Sequence, residues 1–404
     1  MEVQSPIELN ESFFAYVKQN LGEDAMRLRL KKSPSVDFPL DLAITQIEAR
    51  SRRLEKKIPH WYSHERVVFP SLLSTEQCSS QETASYKQRL VYGRSLCDLT
   101  GGLGVDTYFM SQGVDEALYI EQNNLYCQCA RHNFEQLDAR HIEVYNGDCN
   151  RFLSQSDRSF DTLFIDPARR GKSQERLFAL ADCEPNVLAM MPVLLKRCKR
   201  LIIKLSPMVD ISMLRQEIGR PCLLYVVSLH NECKEILAVI DTDATANQCN
   251  QYDVVCAVIG KEGVKELHFN YAEEAETYCP MADAVGTHLY EPDTALLKAG
   301  MFRSLCHIYN VQKLHKNSHL YTSHQPIDDF AGRAFKVVEV LPFSSSLCKS
   351  FSKQYSACNI TTRNFPLSAV ELRKKLRVRD GGDTYLFATT TADNSHVLIV
   401  CNKI

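Results

Sequence analysis

At 404 residues the chain is long enough for two or three domains, and its 45% apolar and 24% charged content is that of an ordinary globular protein. The formal net charge of −2 excludes a uniformly basic nucleic-acid binder, and the longest apolar stretches, such as 188–195, are too short and interrupted to cross a bilayer. Met1-Glu-Val-Gln-Ser5 has neither a basic start nor an apolar run, so no signal peptide is expected.

The first 90 residues read as helical. Residues 40–58 space Leu42, Ile47, Leu54 and Ile58 on one side and Arg50, Arg53, Lys56 and Lys57 on another. A second helix is expected to start at Ser74, with Gln77 three residues on as a capping box, and to run through Tyr86 towards Leu90. From 95 to about 240 strand and helix alternate, with strands near 95–98, 116–120, 142–146, 161–165, 201–205, 223–228 and 235–240. Helices fall between them, for instance over 123–137 and 187–198. Residues 229–234 are too few for a crossover, so the last two strands must be antiparallel. The fold class is therefore α/β, a Rossmann-like parallel sheet ending in an antiparallel hairpin, within a domain of about 91–272 that follows the helical region 1–90. A polar loop (241–250), a hairpin (254–259 with 264–269) and a small mixed segment (273–326) come next. Residues 327–404 read as a compact α+β unit: strand 334–340, helix 346–355, strand 358–362, helix 368–378, strands 384–390 and 396–401. The sixteen cysteines are scattered, often within apolar strands, and form no Cys-x-x-Cys pair. They read as reduced, buried thiols of a cytoplasmic protein with no metal centre.

The most informative stretch is Leu96-Cys-Asp-Leu-Thr-Gly-Gly-Leu-Gly-Val-Asp106. It spells strand, glycine turn and helix, a geometry that lets backbone approach an adenosyl-type ligand. A carboxylate at Asp98 would accept from an ammonium or hydroxyl group but would repel a pyrophosphate. Counted from Gly102, the third glycine of a dinucleotide fingerprint is replaced by Thr107, and no Lys-Ser or Lys-Thr pair follows to make a P-loop. What remains is an acidic glycine loop suited to S-adenosylmethionine, with Asp98, Thr100, Gly101, Gly102, Gly104 and Asp106 as candidate contacts. Glu121 ends the second strand, placed for both ribose hydroxyls, and Asp148 follows the third, placed for an adenine amine. Each alone is an ordinary turn residue; three at successive strand ends point to one ligand.

The fourth strand ends Phe164-Ile-Asp-Pro-Ala-Arg-Arg-Gly171. Pro167 fixes φ, and Asp166 offers an acceptor beside the expected reacting centre. The loop is similar to the Asp-Pro-Pro-aromatic loop of enzymes that methylate planar amino groups, with Ala168 for the second proline and Arg169 for the aromatic residue. A guanidinium plane can stack on a base or grip a phosphate, and Arg170 adds a second cation. The loop also resembles that of RNA 5-methyluridine methyltransferases, which use a cysteine at the end of the fifth strand. Here that strand ends Ile203-Lys-Leu-Ser-Pro207, and Cys198 is expected earlier, in the preceding helix. Without a thiolate a carbon target is disfavoured, and attack by a nitrogen lone pair is the simpler chemistry. Lys204 and Ser206 would border the substrate.

Basic charge is concentrated over 361–379, where Arg363, Arg373, Lys374, Lys375, Arg377 and Arg379 face only Glu371. Ser368 and Glu371 form a capping box, and Ala369, Leu372 and Leu376 make an apolar stripe. The opposite side is either a phosphate-contacting face or an ordinary solvated one.

Over about residues 74–240 the chain resembles class I S-adenosylmethionine-dependent methyltransferases. It is also similar, over nearly its whole length, to a bacterial methyltransferase family with a THUMP-like C-terminal domain. That resemblance rests on Glu76-Gln-Cys-Ser-Ser80, Asp98-Leu-Thr-Gly-Gly-Leu-Gly104, Asp166-Pro-Ala-Arg-Arg170 and Asn359-Ile-Thr-Thr-Arg-Asn-Phe-Pro366, and it includes a ferredoxin-like segment near 280–325. It implies Asp98, Glu121 and Asp148 as cofactor contacts and an RNA substrate, tRNA or rRNA. The alternatives are a protein or small-molecule methyltransferase, and a non-catalytic binder of the cofactor.

Overall fold

The computed structural model describes residues 7–30, 36–52, 54–169, 180, 183–242 and 253–404. The chain divides into two compact units, Met1–Leu223 with Ile236–Asn250, and Leu224–Glu235 with Gln251–Ile404.

The first unit is built on β1 (Ser95–Asp98), β2 (Glu116–Glu121), β3 (Ile142–Asn146), β4 (Phe160–Ile165), a short antiparallel pair β5 (Ala168–Arg169) and β6 (Cys183–Glu184), and β7 (Cys198–Leu205). With β8 (Leu223–Leu229) and β9 (Glu232–Asp241) the chain makes the expected hairpin. Its connection is two residues long rather than six, because His230 and Asn231 (φ 52° and 63°) adopt the left-handed backbone of a tight turn. The sheet runs β9–β7–β4–β1–β2–β3, parallel except that β9 is antiparallel to β7. β1, β2 and β4 are buried along almost their whole length, which is why they read as apolar runs rather than alternations. Register pairs Asp98 with both Tyr119 and Phe164, and Glu121 with Asn146, so the carboxyl ends of four strands lie side by side.

Two helical expectations need correction. Residues 72–77 and 81–88 form separate helices. Ser71, not Ser74, caps the first by accepting from Ser74 N, and Ser80 caps the second by accepting from Thr83 N. Cys198 opens β7 instead of closing the preceding helix, which ends at Leu194; its thiol donates to the Leu194 carbonyl, 3.2 Å away. In the N-terminal region Arg50 is not part of a basic face. Its guanidinium donates to the carbonyls of Tyr62, His64, Glu65 and Val67 and so fastens the chain after the helix Leu40–Ser51. Arg53 lies outside the described residues.

In the second unit β10 (Val254–Gly260) runs parallel to β8 and antiparallel to β11 (Gly263–Phe269). A seven-stranded sheet follows, from β12 (His288–Pro292), β13 (Gln312–Lys313), β14 (Tyr321–Ser323), β15 (Gly332–Pro342), β16 (Ala357–Arg363), β17 (Arg379–Thr390) and β18 (His396–Lys403). Its order is β13–β14–β12–β15–β18–β17–β16. Pairing of β12 with β15 thus joins the mixed segment and the C-terminal unit in one sheet. The helices Ser345–Gln354 and Ala369–Leu376 bury Phe351, Leu372 and Leu376 against Leu386 and Leu398, while Leu289, Phe335, Phe387 and Ile399 belong to a second cluster.

Candidate active site

The glycine turn is held tightly on one side and left open on the other. Gly101 N donates to the Ile120 carbonyl (2.8 Å), and a Cβ built on Gly101 would come within 2.2 Å of the Tyr119 ring. Tyr119 also donates its hydroxyl to the Gly102 carbonyl (2.6 Å). Gly102 and Gly104 have φ of 54° and 90°, a region that side chains disfavour. A Cβ on Gly102 would meet nothing nearer than the Thr100 carbonyl at 3.8 Å, so the space above the turn is free for a ligand.

The strand-end carboxylates occupy three different settings. Glu121 accepts from Gly102 N (3.1 Å) through one oxygen and from Asn123 N (2.7 Å) through the other. Each oxygen keeps lone-pair capacity for a further donor, which suits two neighbouring hydroxyls. Asp148 is exposed and caps the helix Cys149–Gln155, accepting from Arg151 N (2.9 Å). Asp98 is buried, and its oxygens accept from Thr100 N (3.0 Å) and the Thr107 hydroxyl (2.5 Å). It shapes the turn rather than standing open to solvent. Burial pushes its carboxyl up to about 7, against the hydrogen bonds from Thr107 and Thr100 that favour the charged form.

Thr100 ties this turn to the loop after β4, because its hydroxyl accepts from Asp166 N (2.7 Å). The Asp166 side chain is 38% exposed and places one oxygen 2.6 Å from Lys204 Nζ. Lys204 also reaches Asp106 (3.2 Å), and the other Asp106 oxygen lies 3.1 Å from Lys87 Nζ, whose side chain is wholly buried. Ser79 donates to Asp106 (2.8 Å) and accepts from Lys87 (3.3 Å). Asp106, expected among the cofactor contacts, is thus engaged by these three side chains. Two lysines hold it inside the unit, in a cluster whose formal charges cancel. Burial works against its charge, but Lys204, Lys87 and the Ser79 hydrogen bond hold it well below the usual carboxylate range.

Lys204 is likewise a paired, mostly buried cation, not one standing at a strand edge. Ser206 accepts from Met208 N (3.3 Å) and shapes the turn after β7. Pro167 leads into β5, where the Arg169 backbone pairs with Cys183. The Arg169 side chain and Arg170 lie outside the described residues. Sequence reasoning missed Tyr119, Lys87 and Ser79. The available signals were the Glu76–Ser80 stretch, which carries the family resemblance without giving Ser79 a role, and a lysine three residues after Ala84, on the face that the helix Gln81–Gln88 buries.

In the second unit the basic cluster is partly spent on structure. Arg363 and Arg333 both pair with Glu291, whose side chain is 2% exposed. Arg373 pairs with Asp380, and Lys375 Nζ sits 5.2 Å from the centre of the Phe343 ring. Lys374, Lys375 and Arg377 are exposed, and Arg377 takes the left-handed conformation that ends the helix. The Ser368–Glu371 capping box forms as expected.

A parallel sheet with this strand order, an antiparallel hairpin after β7, an acidic glycine turn after β1 and a carboxylate ending β2 define a class I S-adenosylmethionine-dependent methyltransferase. A solved structure of a candidate methyltransferase from Porphyromonas gingivalis W83 is 35% identical, covers 97% of each chain and superposes with a TM-score of 0.83. The chain belongs to the methyltransferase family that this protein represents. Residues 288–330 match a ferredoxin-like domain model and 332–403 a THUMP domain-like model. An rRNA methylase from Streptococcus thermophilus shares 14% identity over 39% of this chain and 93% of its own, with a TM-score of 0.30. At that level nothing about substrate carries over. No curated protein matches the chain.

Proposed function

We propose that the chain methylates a base nitrogen of an RNA, tRNA or rRNA, by direct transfer. The observation that carries this reading is the state of Asp166: one oxygen is fixed by Lys204, and among the described residues the partly exposed side chain leaves the other for a substrate N–H. When bound over the glycine turn, S-adenosylmethionine supplies an electrophilic methyl carbon. The open side of Gly102, the remaining acceptor capacity of Glu121 and exposed Asp148 fit its aminoacyl, ribose and adenine parts. Asp166 then accepts from an exocyclic amine and holds its nitrogen in line, while Lys204 keeps the carboxylate in place. Because β7 ends at Leu205 and is followed by Ser206 and Pro207, a covalent route through a thiolate has no nucleophile there. Support for an RNA substrate comes from the THUMP domain-like match and from exposed Lys374, Lys375 and Arg377.

The test is mass spectrometry of nucleosides from a deletion strain complemented with wild type or Asp166→Ala. A methylated nucleoside should vanish on deletion, return with wild type and stay at least about a hundredfold lower with Asp166→Ala. If no modified nucleoside depends on the gene, the RNA reading fails.

A further inference from the structure

The second unit brings two thiols together. Cys279 Sγ and Cys306 Sγ are 3.2 Å apart, about 1 Å beyond bonding distance. Three side chains, those of Glu274, Arg303 and His307, hold the segments carrying them together. The buried carboxylate of Glu274 accepts from the backbone N–H groups of Phe302 and Ser304 (2.8 and 3.0 Å). Arg303 donates to the Ala275 carbonyl (2.7 Å), and His307 Nε2 lies 2.8 Å from the Tyr278 carbonyl. The sulfur–sulfur approach is thus built into the packing. Cys306 is buried but lines a cavity of about 480 Å³ together with Tyr278, Pro280, His307 and Gln312, while Cys279 is half-buried.

The Cys279 thiol also differs from the rest, whereas the hydrogen bond to Cys279 and then burial push the Cys306 thiol up. The hydrogen bond with Cys306 pulls the Cys279 thiol down to about 7 despite burial, with help from Lys313 and Arg303. Burial instead pushes up Cys78, Cys129, Cys198 and Cys256. A low thiol beside a resolving partner is the arrangement that reacts readily with oxidants.

We propose that Cys279 and Cys306 form a redox-active pair, a modification site whose substrate class is hydroperoxides. The Cys279 thiolate attacks the near peroxide oxygen, the O–O bond breaks, and hydroxide (or alkoxide) leaves, giving a sulfenic acid. The Cys306 sulfur then attacks the Cys279 sulfur; the S–O bond breaks, and the departing hydroxide leaves as water with the Cys306 proton. Sulfur is oxidised by two electrons in all, and the peroxide is reduced by two. The resulting bridge ties the segment before the ferredoxin-like domain to a helix inside it.

The reduced full-length protein can be treated with stoichiometric hydrogen peroxide at pH 7, its remaining thiols alkylated and its peptides analysed by mass spectrometry. A cross-linked Cys279–Cys306 peptide pair should accumulate at least about fivefold faster than Cys78 is oxidised, allowing for the weaker nucleophilicity of a low-pKa thiolate. In Cys306→Ser a dimedone adduct should appear on Cys279. The proposal is overturned if wild-type Cys279 oxidises no faster than Cys78, or passes to sulfinic acid while Cys306 stays alkylatable.

Discussion

The two units each bury a carboxylate between two cations, and the clusters end differently. In the first, Asp106 sits between Lys87 and Lys204, and Lys204 continues to Asp166, which is partly open to solvent. In the second, Glu291 takes both Arg333 and Arg363, and no further carboxylate pairs with either arginine among the described residues. The cluster with an open end delivers a positioned acceptor to the surface, whereas the closed one fastens β12 to β15 and β16. Basic residues in a sequence therefore mark a ligand face only where no buried counter-charge claims them.

Three perturbations sharpen this contrast. The largest effect is expected for Lys204→Met, which leaves Asp106 with Lys87 as its one cation and Asp166 with no cation among the described residues. Removing one member of a buried ion-pair cluster costs about 3–5 kcal/mol, read from urea unfolding, and methyl transfer should fall with it. A shift below about 1 kcal/mol would mean that the cluster is not coupled to the fold.

Next comes Asp98, whose folded-state carboxyl is pushed by burial up to about 7 from an ordinary value of about 3.9. Between those values the folded chain keeps a proton that the unfolded chain has lost, so the stability due to this group is full below about pH 4 and falls as pH rises to about 7. Relative to Asp98→Asn, wild type should lose up to about 4 kcal/mol across that window, measured as the difference between their pH–stability curves. Parallel curves would contradict the burial of a titrating carboxyl.

The smallest effect belongs to Glu291→Gln. Because both arginines are partly exposed and water can replace the lost charge, about 1–2 kcal/mol is expected, with S-adenosylmethionine affinity unchanged. Calorimetry that found a change in that affinity would deny the separation of the two clusters' roles.

What could be read in advance follows from how far apart the interacting residues are. The strands of the first unit and the loops at their ends were legible because apolar runs, glycines and terminal carboxylates are local signals. The positions of Gly101, Gly102, Gly104 and Glu121 at neighbouring strand ends came from that pattern alone. Helix starts were less secure: Ser74 has a Gln three residues on, as a capping box requires, whereas the observed caps Ser71 and Ser80 have none. The ion-pair clusters were not legible. Lys204 reaches Asp106 across 98 positions, and Arg363 reaches Glu291 across 72, so neither pairing leaves a periodic trace. The same holds for Asp106 itself, which looked like part of the glycine loop and turned inward to two lysines.

The methyl donor is expected to lie across the ends of β1, β2 and β3. Titration calorimetry with S-adenosylmethionine on wild type and Glu121→Ala tests this directly. Wild type should bind the donor, and Glu121→Ala should weaken binding at least about tenfold through the loss of hydrogen bonds to a charged acceptor. No binding by wild type, or equal affinity in the two proteins, would contradict it.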